Sequence, residues 1–234
     1  MTTMLGRASR LALDLLFPPK CALCGTHETL LCGLCASLLP AAIAPRCDEC
    51  WMPVTAAPIC GHCAAQPPSF VELRAPFVMA NGARDLAHAL KYEGLTSLAE
   101  PMAALMLPAL TAETFATIDV IVPVPLHPGR ERSRGYNQAA ELARHLAALA
   151  DRAVDTRAVR RMRDTAPLAK GMHRDERRAI VAGAFRASPE RCTDRRILLV
   201  DDVATTGATL DACGGALLDA GAASVRCLVW ARAD

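Results

Sequence analysis

Two groups of residues in this 234-residue chain have types and spacings that can do chemistry. The first is ILLVDDVATTGAT, residues 197–209: four aliphatic residues, the adjacent acids Asp201 and Asp202, then a loop containing Ala204, Thr205, Thr206, Gly207, Ala208 and Thr209. Small residues let backbone N–H groups approach an anion closely, threonine hydroxyls add donors, and a helix starting at the loop adds its dipole. Such a loop suits a phosphate. Carboxylates beside it would repel that phosphate, so they address another part of the ligand, and the vicinal hydroxyls of a ribose can each donate to one acid. The ligand read from these residues is a ribose 5-phosphate. A magnesium-binding pair or strand-end cap would account for the acids, and an ordinary N-cap for the threonines, but neither explains the whole run. Neither a GxxxxGK[ST] nor a GxGxxG pattern occurs, which argues against a Walker-type nucleotidase and a dinucleotide site.

The second group is four C-x-x-C units: Cys21/Cys24, Cys32/Cys35, Cys47/Cys50 and Cys60/Cys63. One such turn offers two thiolates to a single ion, and two turns complete a tetrahedral sulfur site suited to zinc. Four units make two sites, expected to be structural. Pairing first with second and third with fourth closes the shortest loops, although interleaved pairing stays open. Redox pairs or disulfides fit four such repeats poorly in a chain without an evident export signal. His27 and His62 read as bystanders, and Cys192, Cys213 and Cys227 as small buried side chains.

These groups need elements to hold them. From Phe70 onward strand and helix patterns alternate, which favours a parallel sheet. FVELRAPFVM, DVIVPVP, RILLV and SVRCLVWA read as strands. GARDLAHALKYEG, SLAEPMAALMLPAL, YNQAAELARHLAALA and TTGATLDACGGALLDAG read as helices, the third with Leu142, Leu146 and Leu149 on one face. Ligands of such sheets bind where strands lead into helices, here after IVPVP and after ILLV. The turn-rich AAQPPSF, residues 64–70, separates the cysteine module from this body.

Charge adds a direction. The chain carries a net charge of only +2, but residues 130–196 hold 17 Lys/Arg against 9 Asp/Glu and so belong near something anionic. Near the amino end, Asp14 interrupts the apolar stretch and no cleavage-site pattern precedes Pro18 and Pro19, so a short amphipathic helix is expected. No segment is apolar for long enough to insert in a membrane, and the chain is expected to be soluble and cytoplasmic.

The run from Ile197 to Thr209 resembles the 5-phosphoribosyl 1-pyrophosphate (PRPP) signature of type I phosphoribosyltransferases. With the cysteine pairs, LKYEG, VPVPLHPGRERSRGYNQAAELA and RDTAPLAKGMHRDERRAIVAGAF in this order, the chain from about Leu15 to Arg232 resembles the ComF family. The resemblance implies an α/β, type I phosphoribosyltransferase-like parallel sheet with flanking helices (residues 69–234) behind an N-terminal helix and double zinc ribbon (residues 1–68). It implies PRPP binding by Asp201 and Asp202 at the ribose and by Ala204 to Thr209 at the 5-phosphate. A pyrophosphate loop would run from Pro125 to Arg130, followed by the motif Arg134, Tyr136, Asn137 and Gln138. Lys91 matches a hood motif with Tyr92. Arg134 is placed with the acids as catalytic, and Arg177 with a closing loop between Arg160 and Phe185, where Leu168 and Ile180 stand in place of the Gln and Asn common in relatives. Implied with these are two structural Zn2+, Mg2+ arriving with PRPP, and transfer of phosphoribosyl to an unknown nitrogen acceptor in DNA uptake. A non-catalytic protein that binds PRPP or a nucleotide, and single-stranded DNA through its Arg-rich face with Trp51 or Tyr136 stacking, is the alternative. DNA-uptake proteins and further copies of the chain stay open as partners.

Overall fold

The computed structural model describes residues 18–165 and 174–233. The helix expected before Pro18, Leu168 and the side chain of Arg177 lie outside the described residues.

The body is an all-parallel sheet in the order β1-β8-β7-β3-β4, formed by β1 (Leu73–Arg74), β3 (Val120–Pro123), β4 (Ala153–Val154), β7 (Arg196–Ala204) and β8 (Ser224–Arg232); β2 (Phe77–Val78) also pairs with β8. Side chains alternate across most of it. Val120, Val122, Ile197, Leu199, Val225, Cys227 and Val229 face one core, while Ile121, Leu198, Val200, Leu228 and Trp230 face the other. The second core is closed by α1 (Asn81–Tyr92), α2 (Ala99–Met106) and α4 (Gln138–Ala150) through Leu86, Leu90, Met102, Met106, Leu142 and Leu146. Each fully buried aliphatic side chain there contributes about 1.5–3 kcal/mol relative to exposure. Leu149, read from the same stripe as Leu142 and Leu146, is instead 50% exposed, in the last turn of α4. The first core is covered by α6 (Ala208–Asp219), beside which α5 (Arg174–Val181) lies, and by an antiparallel ribbon of β5 (Val159–Arg161) and β6 (Phe185–Ala187).

Three elements depart from the sequence reading. FVELRAPFVM is two short pieces, since Ala75 and Pro76 interrupt it and Pro76 has no N–H for a ladder. The strand read as RILLV runs on through both acids to Ala204, because β8 stays in register with it, Asp201 opposite Val229 and Ala204 opposite Arg232. The loop after IVPVP folds into α3 (Pro128–Arg134), with proline in its first turn, the His127 ring accepting from Gly129 N and Gly135 closing it at φ 87°.

The cysteine module lies along the outer edge of β1 and β2. Leu73 N donates to Glu49 O (2.7 Å), Val78 N to Pro40 O (2.8 Å) and Ala42 N to Pro76 O (2.8 Å).

Candidate functional site

Successive strand residues leave the backbone toward opposite faces, but the adjacent carboxyls remain close enough to interact. Asp202 points toward α1 and α4, where Lys91 Nζ lies 3.5 Å from its Oδ2 and Gln138 Nε2 lies 3.4 Å from its Oδ1. Asp201 accepts the backbone N–H of Asp202 (2.8 Å) on its Oδ1. Both carboxyls are buried, at 8% and 3% exposure. Burial and the neighbouring carboxylate push Asp201 well above the usual carboxylate range. Burial also works against Asp202, but the Lys91 ammonium and hydrogen bonds outweigh it and hold the group low. Lys91 is raised in turn by Asp202. One acid is therefore disposed to carry a proton and its neighbour a charge.

Both acids line a cavity of about 430 Å³ at the carboxyl end of the sheet, with Lys91, Tyr92, Pro125, Arg130, Arg134, Gln138, Arg161, Thr205 and Thr209 among the other residues on its wall. This is where the βα loops of a parallel sheet converge. Arg130 Nε pairs with Asp164 at 2.9 Å, and its guanidinium also donates to Thr165 O. Arg134 donates to Gln138 Oε1, while its guanidinium carbon lies 5.5 Å from the centre of the Tyr92 ring. Three guanidinium groups and two acids around one cavity suit a ligand that carries both anionic groups and hydroxyls.

Beyond the acids the chain turns through Thr206 and Gly207, whose φ of 82° is left-handed, and α6 starts at Ala208. The Thr206 hydroxyl accepts from Ala208 N at 3.4 Å. Thr206, Gly207 and Ala208 lie away from the main cavity, in a narrow crevice with Cys50, His62 and Cys63 of the cysteine module. Tyr136 and Asn137 also stand outside the main cavity. The Tyr136 hydroxyl donates to Leu90 O, whereas Asn137 caps α4, accepting from Ala139 N (3.0 Å) and donating to Val124 O (3.0 Å). Trp51 is engaged in docking the module: its indole N–H donates to Ala75 O at 2.8 Å and Arg74 covers its ring.

One wall residue, Arg161, is singled out by no motif, whereas Tyr92 comes with Lys91 in the hood motif. Arg161 stood out from its many neighbouring arginines only once the β5–β6 ribbon turned it inward, and burial followed by the nearby Arg130 lowers its pKa. Tyr92 is 64% exposed at the cavity rim.

The eight cysteines of the four pairs form two clusters, Cys21, Cys24, Cys32 and Cys35, and Cys47, Cys50, Cys60 and Cys63, each with its sulfurs within 4.8 Å of one another. Consecutive pairing is thereby settled. Sulfur separations of 3.7 Å (Cys24 to Cys32) and 3.6 Å (Cys50 to Cys60) fit a tetrahedron around one ion, since Zn–S bonds of about 2.3 Å imply edges of about 3.8 Å. Backbone N–H groups of Cys32, Cys35 and Cys60 point at the sulfurs of Cys21, Cys32 and Cys47 (3.4, 3.4 and 3.3 Å), which favours thiolates. All-thiolate donor sets with no position left for substrate are structural zinc sites. His27 and His62 belong to neither cluster, and Cys192, Cys213 and Cys227 are fully buried. No described helix is long and apolar enough to cross a membrane.

Comparison with known proteins matches residues 12–64 to the double zinc ribbon domain and residues 110–233 to the phosphoribosyl transferase domain. The DNA utilization protein YhgH of Escherichia coli is 32% identical over 222 residues, covering 91% of this chain and 96% of that protein. Its counterpart from Salmonella typhimurium is 30% identical over the same coverage. Competence protein F of Haemophilus influenzae is 35% identical over 114 residues, 48% of each chain. Among solved structures, an allosteric regulatory enzyme of purine biosynthesis aligns with a TM-score of 0.40 and 16% identity over 61% of this chain and 30% of that one, too distant to inform the site.

Proposed function

As this chain belongs to the ComF family, which joins a double zinc ribbon to a phosphoribosyltransferase domain, we propose that its cavity binds PRPP and transfers the phosphoribosyl group to a nitrogen acceptor. The observation that carries this reading is the lining of one cavity by Asp201, Asp202, Thr205, Thr209 and three arginines. In this reading the ribose hydroxyls take the place that Lys91 now holds at Asp202, and Asp201 hydrogen-bonds the neighbouring hydroxyl. The loop from Ala204 to Thr209 receives the 5-phosphate, and Arg130, Arg134 and Arg161 face the pyrophosphate.

The acceptor nitrogen forms a bond to C1 of the ribose as the bond from C1 to the pyrophosphate oxygen breaks, and the acceptor's proton leaves with the pyrophosphate or to solvent. Fixed guanidinium groups stabilise charge that grows on the departing oxygens, and the buried acids hold the sugar in line, so the protein works by positioning and electrostatics. Mg2+ arriving with PRPP would neutralise part of the pyrophosphate charge. The names of the relatives support placing this activity in DNA utilization or competence.

Calorimetry with PRPP and Mg2+, followed by pyrophosphate release across a panel of nitrogen acceptors, tests the proposal. Binding that Asp201→Asn weakens at least about tenfold is expected; no heat from PRPP would overturn it. A second reading, favoured by exposed Arg132, Arg144, Arg157 and Arg160 in the basic stretch, is a non-catalytic binder of single-stranded DNA. It predicts DNA affinity that falls steeply with salt and PRPP binding without turnover.

A further inference from the structure

Arg232 closes β8 with a fully buried guanidinium, a costly place for a cation. Its Nε donates to Cys50 O (3.0 Å) and its Nη1 to Ala204 O (3.1 Å). One acceptor is the backbone of a ligand in the second cysteine cluster, and the other is the last residue of β7, directly before the loop, whose carbonyl also accepts from Ala233 N (2.8 Å).

A second, separate tie runs in parallel. The segment leaving Cys63 reaches Ser69, whose N–H donates to Asp211 Oδ1 at 2.7 Å in the first turn of α6, while Asp211 N donates to Gly207 O at 2.9 Å. Ser69 O passes so close to α6 that a Cβ on Gly214 would lie 3.0 Å from it. Between these ties, Thr206, Gly207 and Ala208 line a narrow crevice together with Cys50, His62 and Cys63. A backbone cradle holds an anion well only when its N–H groups are fixed beforehand.

We propose that Arg232 is a positioning residue through which metal loading of the second cysteine site fixes the Ala204–Thr209 loop, so that zinc at that site sets the loop's affinity for a phosphate. The proposal deepens the phosphoribosyl reading and rests on it for the identity of the ligand, whereas loop order is measured without any ligand.

Hydrogen exchange on the zinc-loaded full chain tests it, with zinc content and ribose 5-phosphate calorimetry alongside. In Arg232→Met we expect two zinc ions per chain to be retained, exchange over residues 204–209 to rise at least about tenfold, and ribose 5-phosphate to bind about fivefold or more weakly. If that variant does not fold, Arg232→Lys, which keeps the charge but loses the fork that spans both carbonyls, is read the same way. In the unaltered chain, a chelator is expected to raise exchange over 204–209 together with 47–63 while 120–123 stays protected. Loop exchange unchanged in a folded variant with both zinc ions bound, or unchanged on metal removal, overturns the proposal. Ribose 5-phosphate failing to bind the unaltered chain would sink the functional reading instead, leaving the exchange result to decide this one.

Discussion

Lys91 Nζ, at the end of α1, lies 3.5 Å from Asp202 Oδ2 near the carboxyl end of β7, so a helix terminus neutralises a carboxylate that burial has desolvated. Asp202 is held below its ordinary value, so the stability it contributes is present above the unfolded value near 3.8 and disappears as pH falls through the folded one. Lys91→Met removes the main reason for that depression. It is expected to cost about 1–3 kcal/mol at pH 7, discounted because the ammonium is partly solvated, and almost nothing in acid, where Asp202 is protonated in both states. Urea melts across pH check it, and a cost independent of pH would disprove the electrostatic account.

Asp201 has the opposite sign. Its folded value is raised by burial and by Asp202, so the native state is favoured below the unfolded value and penalised as pH climbs through the raised one. Asp201→Asn keeps an oxygen for the Asp202 N–H and removes the penalty. It should therefore melt higher than the natural chain at neutral pH, by about 1 kcal/mol or more, while losing PRPP affinity. Equal stability at every pH would show that the acid is not strained.

Thiol reactivity should appear in stages. With zinc bound, the eight clustered sulfurs are ligated, and Cys192, Cys213 and Cys227 are buried, the last two pushed up by that burial. A thiol reagent is expected to find almost no reactive group in the native protein, eight after a chelator and eleven after denaturant. Metal analysis should give two zinc ions per chain, and Cys47→Ser should lose one of them and about 2 kcal/mol or more of stability.

Gly207 turns the loop at φ 82° with open space where a Cβ would stand. Gly207→Ala therefore meets strain without a clash, and about 1 kcal/mol of destabilisation is expected from the left-handed backbone alone. A beta-branched Gly207→Val should cost more. Chemical denaturation of both separates conformational strain from crowding.

The features legible in the sequence were those whose chemistry is local. Cysteine spacing announced the clusters, and four aliphatic residues before two acids announced a buried strand. What stayed hidden depends on distant partners. Nothing near Asp202 says that β8 will carry β7 past the acids, since that follows from the register of Val229 and Ala231 beside Asp201 and Val203. Nothing around Arg161 separates it from the surrounding arginines before β5 and β6 pair. Arg232 lies one residue past SVRCLVWA, and nothing beside it in sequence says that β8 draws it between Cys50 and Ala204. Tyr136 and Asn137 sit inside a recognisable motif, yet tertiary contacts turn both side chains to Leu90, Val124 and Ala139.

The short outer pieces β1 and β2 leave backbone groups that Glu49, Pro40 and Ala42 satisfy from the cysteine module. A bare strand of this kind is a template for other chains. The metal-bound ribbons thus act as a hem on the fabric of the sheet: pulled off by a chelator, they would leave a sticky border, and the chain would be lost to clumping before its core ever melted.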